Sequence, residues 1–207
     1  MRRLGEVDYT STWREMRQFT AERTRGDADQ LWLLQHPRVY TLGLAARNAH
    51  LPPSDTLIPI IKTDRGGQIT YHGPGQIIVY TLLDLRRLGI GVRQLVRRLE
   101  QSVIDLLRPY GIQAHGHEKA PGVYVGDAKV AALGLRIRNG CSYHGVSLNI
   151  DMDLGPFLEI DPCGYPGLRV SQLRDLGISE DIATIGDKLL AALQSHLWPA
   201  GAGVESQ

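Results

Sequence analysis

Three segments of the chain carry side chains whose types and spacing can do chemistry. The first is Asp64-Arg-Gly-Gly-Gln-Ile-Thr-Tyr-His-Gly-Pro-Gly-Gln76, with four glycines in the ten residues 66–75 around polar groups. Gly66-Gly67 can turn backbone N–H groups toward an anion or a carbonyl, and Arg65 can orient one. No Gly-Lys-Ser/Thr follows, so this is not a P-loop, and the spacing is not a dinucleotide fingerprint. From composition, a structural turn and a ligand loop stand about level. The second segment, Ile160-Asp-Pro-Cys-Gly-Tyr-Pro-Gly167, holds Cys163 on a stiff turn. Nucleophilic use of that thiol needs a nearby cation or base, and a lone cysteine is usually inert. The third is Lys129, heading the apolar run Ala128–Leu135. Partial desolvation would depress its pKa and suit it to proton transfer; taken alone, a strand-end lysine snorkelling to water is the better reading. His115-Gly-His117 and Cys141-x-x-His144 offer metal-ligand types without zinc-site spacing, so no metal is expected.

The elements that must position these groups are bounded by composition. The 207 residues suit one domain with a real core. The net charge of +1 argues against a nucleic-acid-coating protein. No run approaches the roughly 18 apolar residues of a membrane span, and Glu6 and Asp8 stand where a signal peptide needs its apolar stretch. These features point to a cytoplasmic protein with Cys141 and Cys163 as thiols, not a disulfide. Glycine is in excess, 23 residues with 16 between positions 64 and 167. Of 23 basic residues only Lys62, Lys119, Lys129 and Lys188 are lysines. Arg86, Arg87, Arg93, Arg97 and Arg98 read as a solvated helix face or as a docking patch for an acidic protein.

Periodicity predicts a helix over 10–25 capped by Thr10 or Ser11, with Trp13, Met16, Phe19 and Thr20 along one side. A second helix over 91–109 presents Val92, Leu95, Val96, Leu99, Val103, Leu106 and Leu107, and a third begins near Ser179. Strands are expected at 29–34, 39–43, 57–61 and 76–83, followed by a meander of 122–125 and 128–138 joined through Gly126-Asp127. Residues 199–207 read as a frayed tail. The class is α+β with a mixed or mainly antiparallel sheet flanked by helices.

Asn139-Gly140 is the strongest hairpin signal and favours a type I′ turn. A two-residue loop there sets 138 opposite 141, 136 opposite 143, 134 opposite 145 and 132 opposite 147. Paired residues share a face. One face then carries Ala132, Gly134, Gly145 and Ser147, with almost no side-chain volume. The other carries Leu133, Leu135, His144, Val146 and Leu148 as core. The small-residue face admits either a closely packed helix or a ligand chain.

The blocks RGGQITYHGPGQ at 65–76, APGVYV at 120–125, KVAALGLRIRNGCSYHGVSLNI at 129–150 and DMDLGPFLEIDPCGYPGL at 151–168 together resemble the lipoyl(octanoyl) transferases. The resemblance covers half the chain directly. It implies a biotin/lipoate ligase-like catalytic fold of the class II aminoacyl-tRNA synthetase/biotin synthetase type. It implies Cys163 as the nucleophile carrying an acyl thioester and Lys129 as its acid/base partner. The acyl site implied is Arg65, Gly66, Gly67, Gln68, Ile69, Thr70, Tyr71 and His72 with Ala132, Leu133, Gly134, Gly145, Val146 and Ser147. The implied donor is octanoyl-acyl carrier protein. The implied acceptors are lipoyl domains of 2-oxoacid dehydrogenase complexes and the glycine cleavage H protein. No cofactor, nucleic acid or membrane is implied. Ser147 stands where many members have alanine, and Asp161 where asparagine is frequent. An ATP-dependent lipoate or biotin ligase of the same fold is the alternative activity.

Overall fold

A computed structural model describes residues 1–46, 51–118, 120–162 and 167–199. Cys163 and positions 200–207 of the expected tail lie outside these residues.

The main sheet has seven strands, ordered β1 (Arg2–Glu6), β2 (Gln30–Gln35), β6 (Gln76–Leu82), β10 (Cys141–Asn149), β9 (Ala128–Arg138), β8 (Gly122–Val125) and β7 (Ala114–Gly116). β1 and β2 run parallel and every other pairing in it is antiparallel. A small sheet, β4 (Ile60–Lys62), β3 (Val39–Leu42) and β5 (Ile69–His72), lies apart from it. The expected α+β class and mixed sheet are therefore the observed ones. β1 and β7 have no apolar alternation, and β5 alternates over only four residues inside a glycine-rich stretch, so none of the three is visible as a strand in the sequence. The strand expected at 57–61 forms at 60–62.

Two helices cover one face of the large sheet. α2 (Val92–Leu107) and α3 (Ile182–Leu197) bury Leu95, Leu99, Val103, Leu189 and Leu193 against Leu31, Val79, Val146 and Leu148. α3 starts from Asp181, whose carboxylate accepts from the Thr184 N–H at 2.9 Å. Val92, expected on the apolar stripe of α2, is instead 44% exposed because it opens the first turn at the rim of the sheet. The opposite face receives α1 (Tyr9–Glu22), with Met16 packed on Trp32, Leu34, Ile78, Tyr80 and Tyr143. The cap of α1 is Asp8, not Thr10 or Ser11: its Oδ1 accepts from the Ser11 N–H at 2.8 Å, a contact worth about 1 kcal/mol. A third cluster, including Tyr40, Ile69, Tyr71, Met152 and Phe157, closes the small sheet.

The β9–β10 hairpin has the expected register, with Arg138 opposite Cys141, Arg136 opposite Tyr143, Gly134 opposite Gly145 and Ala132 opposite Ser147. Its turn places both Asn139 (φ +51°) and Gly140 (φ +76°) in the left-handed region, as a type I′ turn requires. Cys141, just after the turn, is a buried free thiol.

Candidate functional site

The small-residue face of β9 and β10 is covered by β5 and the Arg65-Gly66-Gly67 loop, leaving a narrow, mainly apolar cleft between them. The loop is fastened to the sheet where the Gly66 N–H donates to the Leu135 carbonyl at 2.9 Å. From there β5 runs over the cleft with period two. Ile69 and Tyr71 pack in the third cluster, Ile69 also bordering the cleft, while Gln68, Thr70 and His72 line the cleft. Tyr71, carried into the acyl site by family resemblance, therefore stands on the far side of its strand. Leu133 and Val146 border the cleft, yet both pack in the helix-covered core.

The glycines do different jobs at their two positions. A Cβ on Gly134 would meet Arg65 Cδ at 3.0 Å, so the arginine stem lies directly over that strand. A Cβ on Gly145 would overlap the Val79 carbonyl oxygen. Gly145 thus answers to the neighbouring strand, whereas Gly134 borders the cleft's filling. The Arg65 guanidinium is held by the Thr41 carbonyl (2.6 Å), the Thr41 hydroxyl (2.9 and 3.1 Å) and the Gly66 carbonyl (3.0 Å).

His144 departs from the expected arrangement. Strand alternation assigns it to the core face, but its backbone has φ +61°, a conformation uncommon outside glycine. The imidazole instead stacks on Tyr143 at 5.2 Å, meets Tyr80 edge-on at 6.0 Å and borders the cleft. Its Nε2 lies 3.1 Å from Asp64 Oδ1. The same carboxylate accepts from Trp13 Nε1 at 2.8 Å and from the Tyr143 hydroxyl at 2.6 Å. Burial works to raise the Asp64 pKa, but the hydrogen bonds from His144, Tyr143 and Trp13 outweigh it and hold the carboxyl well below its usual range. Burial also lowers the His144 pKa against the pull of Asp64.

The remaining wall carries Tyr9 and His72. Tyr9 is 2% exposed, and its hydroxyl has no hydrogen-bond partner among the described residues. Its ring stacks on His72 at 5.9 Å and meets His36 edge-on at 4.9 Å. His72 Nδ1 pairs with Gln76 Oε1 at 2.7 Å, and the Gln76 amide donates to Asn149 Oδ1 at 2.9 Å. Burial lowers the pKa of His36 to about 4 and that of His72 to about 3, so both rings are neutral near pH 7. The His36–Tyr80 bond at 2.7 Å belongs to this same wall. His72 and Gln76 are four residues apart, but the Tyr9, Tyr80 and Asn149 contacts join distant segments that nothing in local sequence marks.

Lys129 sits three residues before Ala132, about 10 Å along the strand at ~3.3 Å per residue. Its side chain reaches the cleft's side of the sheet through a β-bulge. Val123 pairs with Ala131 but Tyr124 pairs with Lys129, so Val130 is the extra residue. Val130 and Ala131 are both buried in the helix-covered core. The lysine after this break in alternation is thereby turned to the opposite face. It is only 3% exposed. Its Nζ donates to the Pro121 carbonyl at 3.2 Å and lies 5.1 Å from the Tyr124 ring centroid. Its backbone is clamped as well, the N–H donating to the Arg169 carbonyl at 2.8 Å and the carbonyl accepting from the Ser171 N–H at 2.9 Å. Arg169 and Ser171 follow Cys163 in the chain by six and eight residues, so the stretch just after that cysteine runs beside Lys129. This buried setting is not that of a lysine snorkelling to water. Among the described residues no His/Cys/Asp/Glu cluster could hold a metal ion.

Comparison with known proteins agrees with this arrangement. The lipoyl protein ligase A/B catalytic domain profile matches residues 8–194. The chain belongs to that family. The octanoyltransferase of Azoarcus sp. (strain BH72) is 56% identical over 199 residues, covering 96% of this chain and 88% of that protein. The octanoyltransferase of Nitrosospira multiformis is 58% identical over 191 residues, covering 92% and 88%. Among solved structures, a bipartite lipoate protein ligase from Thermoplasma acidophilum superposes with a TM-score of 0.72 at 16% identity, covering 95% of this chain and 82% of the other. The biotin protein ligase of Aquifex aeolicus gives 0.60 at 18% identity, covering 94% and 68%. The expected lipoate/biotin ligase-like fold is therefore the observed one. No helix among the described residues is long and apolar enough to cross a membrane.

Proposed function

We propose that this octanoyltransferase family member moves an octanoyl or lipoyl group from acyl carrier protein to a lysine of a lipoyl domain, by way of a thioester on Cys163. The acceptors are the lipoyl domains of 2-oxoacid dehydrogenase complexes and the glycine cleavage H protein, and the setting is cytoplasmic. The observation that supports the reading is Lys129: a buried lysine, turned by a bulge onto the face of the acyl cleft and paired through its backbone with Arg169 and Ser171, a few residues after Cys163 in sequence.

The chemistry needs two displacements. The Cys163 thiolate attacks the donor's thioester carbonyl, the carbon–sulfur bond to the carrier breaks, and the departing thiolate takes a proton from the Lys129 ammonium. The acyl-enzyme then meets the acceptor amine. A new carbon–nitrogen bond forms, the Cys163 thiolate leaves, and Lys129 takes back the amine's proton. The pair ends as it began. Cys163 and Lys129 titrate together, so their pKa values belong to the pair. Exchange between thioesters is nearly isoenergetic and amide formation is downhill, so no nucleotide is consumed. Arg65, Gln68, Thr70, His72, Ala132, Gly134 and Ser147 wall the acyl chain.

Mass spectrometry after mixing with octanoyl-acyl carrier protein tests this. One octanoyl adduct on Cys163 is expected, absent from Cys163→Ala. Transfer to a lipoyl domain that requires free octanoate and ATP would instead identify a ligase.

A further inference from the structure

The arginine-rich stretch 86–98 divides once its partners are seen. Arg86 pairs with Asp84, Arg87 with Asp29, and Arg98 donates to the Leu197 carbonyl. Arg93 and Arg97 are exposed and make no hydrogen bond or ion pair among the described residues. They stand four apart on α2, so they project side by side. Both line a groove between α2 and Gly116, His117, Glu118 and Pro121, with Val92 beside them. That groove ends at Pro121, whose carbonyl holds Lys129 Nζ. Two acidic residues also border it. Glu100 is occupied, its carboxylate accepting from the Gly122 N–H at 3.0 Å, and Arg97 acts on it only through space. Glu118 is exposed on the opposite wall.

We infer that Arg93 and Arg97, with the exposed Val92 beside them, form the docking surface for the acyl donor: an acidic carrier protein whose thioester hangs on a phosphodiester-linked arm. This rests on the function proposed above. Two unpaired guanidinium groups suit carboxylates and a phosphodiester, which they can bind in forked geometry. The acceptor delivers its amine on a lysine side chain and so brings no phosphodiester for this pair to grip. The groove shares Pro121 with the Lys129 environment, so an arm anchored there can deliver its thioester toward Lys129. Charge complementarity of this kind acts mainly on encounter rate and is weakened by salt.

The test separates the two half-reactions in the full-length enzyme. Acylation is followed with octanoyl-acyl carrier protein and, in parallel, with S-octanoyl-N-acetylcysteamine, which has neither protein nor phosphate. Transfer from the isolated acyl-enzyme to a lipoyl domain is followed separately. For Arg93→Glu/Arg97→Glu the expected result is a loss of about tenfold or more in kcat/KM for the carrier donor, with the salt dependence of the wild type abolished. Acylation by the small thioester and transfer to the lipoyl domain should be unchanged, and Arg93→Lys/Arg97→Lys should recover part of the carrier-dependent rate. Loss confined to the lipoyl-domain step would assign the groove to the acceptor and overturn the proposal. Unchanged kinetics, or equal loss with the small thioester, would also overturn it. A wild-type enzyme that no thioester acylates would reject the proposed function itself, a distinguishable outcome.

Discussion

Asp64 and His144 are eighty residues apart in the chain and meet at 3.1 Å, Oδ1 to Nε2, behind the Arg65 loop. The contact ties three elements together, because the same carboxylate also receives Trp13 of α1 and Tyr143 of β10. It explains how an L-residue can hold φ +61° in the middle of a strand: the surroundings over-determine the strained conformation.

Asp64→Asn keeps the shape but presents an amide to three donors that need an acceptor. Leaving buried donors facing it should cost about 2–3 kcal/mol, read as a lower midpoint in urea. The acid limb should change too. The Asp64 pKa is depressed in the folded state, so its contribution is complete above the unfolded value near 4 and is lost as pH falls below that. The variant should lack this loss below pH 4. An unchanged midpoint would show the carboxylate to be dispensable.

His36 and His72 set a second acid dependence at higher pH. Burial depresses their pKa to about 4 and about 3 from the ordinary histidine value of 6.5. The unfolded chain therefore takes up protons first as pH falls below 6.5, and stability drains away until the folded rings titrate. Urea unfolding between pH 7 and pH 4 should show this decline, and His36→Gln should flatten it by close to one proton's slope. A decline of the same steepness in that variant would locate the effect elsewhere.

Gly134 and Gly145 face each other across β9 and β10 and should respond oppositely to alanine. Gly145→Ala drives a methyl into the Val79 carbonyl, a backbone group that cannot step aside, and should cost about 3 kcal/mol or more. Gly134→Ala meets only Arg65 Cδ at 3.0 Å, the stem of a side chain that can yield. The variant should melt within a few degrees of wild type yet take shorter acyl chains preferentially. Comparing kcat/KM for hexanoyl and octanoyl donors checks it, and an unaltered ratio would remove Gly134 from the chain-lining surface.

The contrast between these two glycines shows what local sequence carries. Asn139-Gly140 announces its turn, because only residues tolerant of positive φ build a type I′ hairpin, and the turn then fixes every pair from 138/141 to 132/147. The small-residue face followed from that register alone. The sequence is silent wherever alternation breaks. The left-handed His144 and the bulge at Val130 each send a side chain to the face opposite the one that counting assigns. β5 reads as a glycine-rich loop because its strand character comes from pairing with β3, a segment about thirty residues away. Asp64 lies inside the recognised motif, but its partners come from α1 and β10, so its role emerges only in three dimensions.

The placement of Lys129 can be disturbed without touching the lysine. Gly122 begins β8, and a Cβ there would stand 2.9 Å from Lys129 Cε, 3.1 Å from its Nζ and 2.8 Å from the Ala131 carbonyl oxygen. The carbonyl belongs to the sheet and gives little, so the flexible end of the lysine has to move away from the Pro121 carbonyl. Gly122 also holds φ +152°, which strains any L side chain, so Gly122→Ala should lose about 2–4 kcal/mol of stability from strain and crowding together. Its acyl-enzyme formation should fall by more than that loss explains, about tenfold or greater, because proton transfer depends on sub-ångström placement. The rate–pH profile of Cys163 acylation separates the two effects. A displaced ammonium stabilises the thiolate less, so the alkaline shift of that profile should accompany the slower rate. A Gly122→Ala enzyme with a wild-type profile and rate would mean that the position of Lys129 does not govern the cysteine.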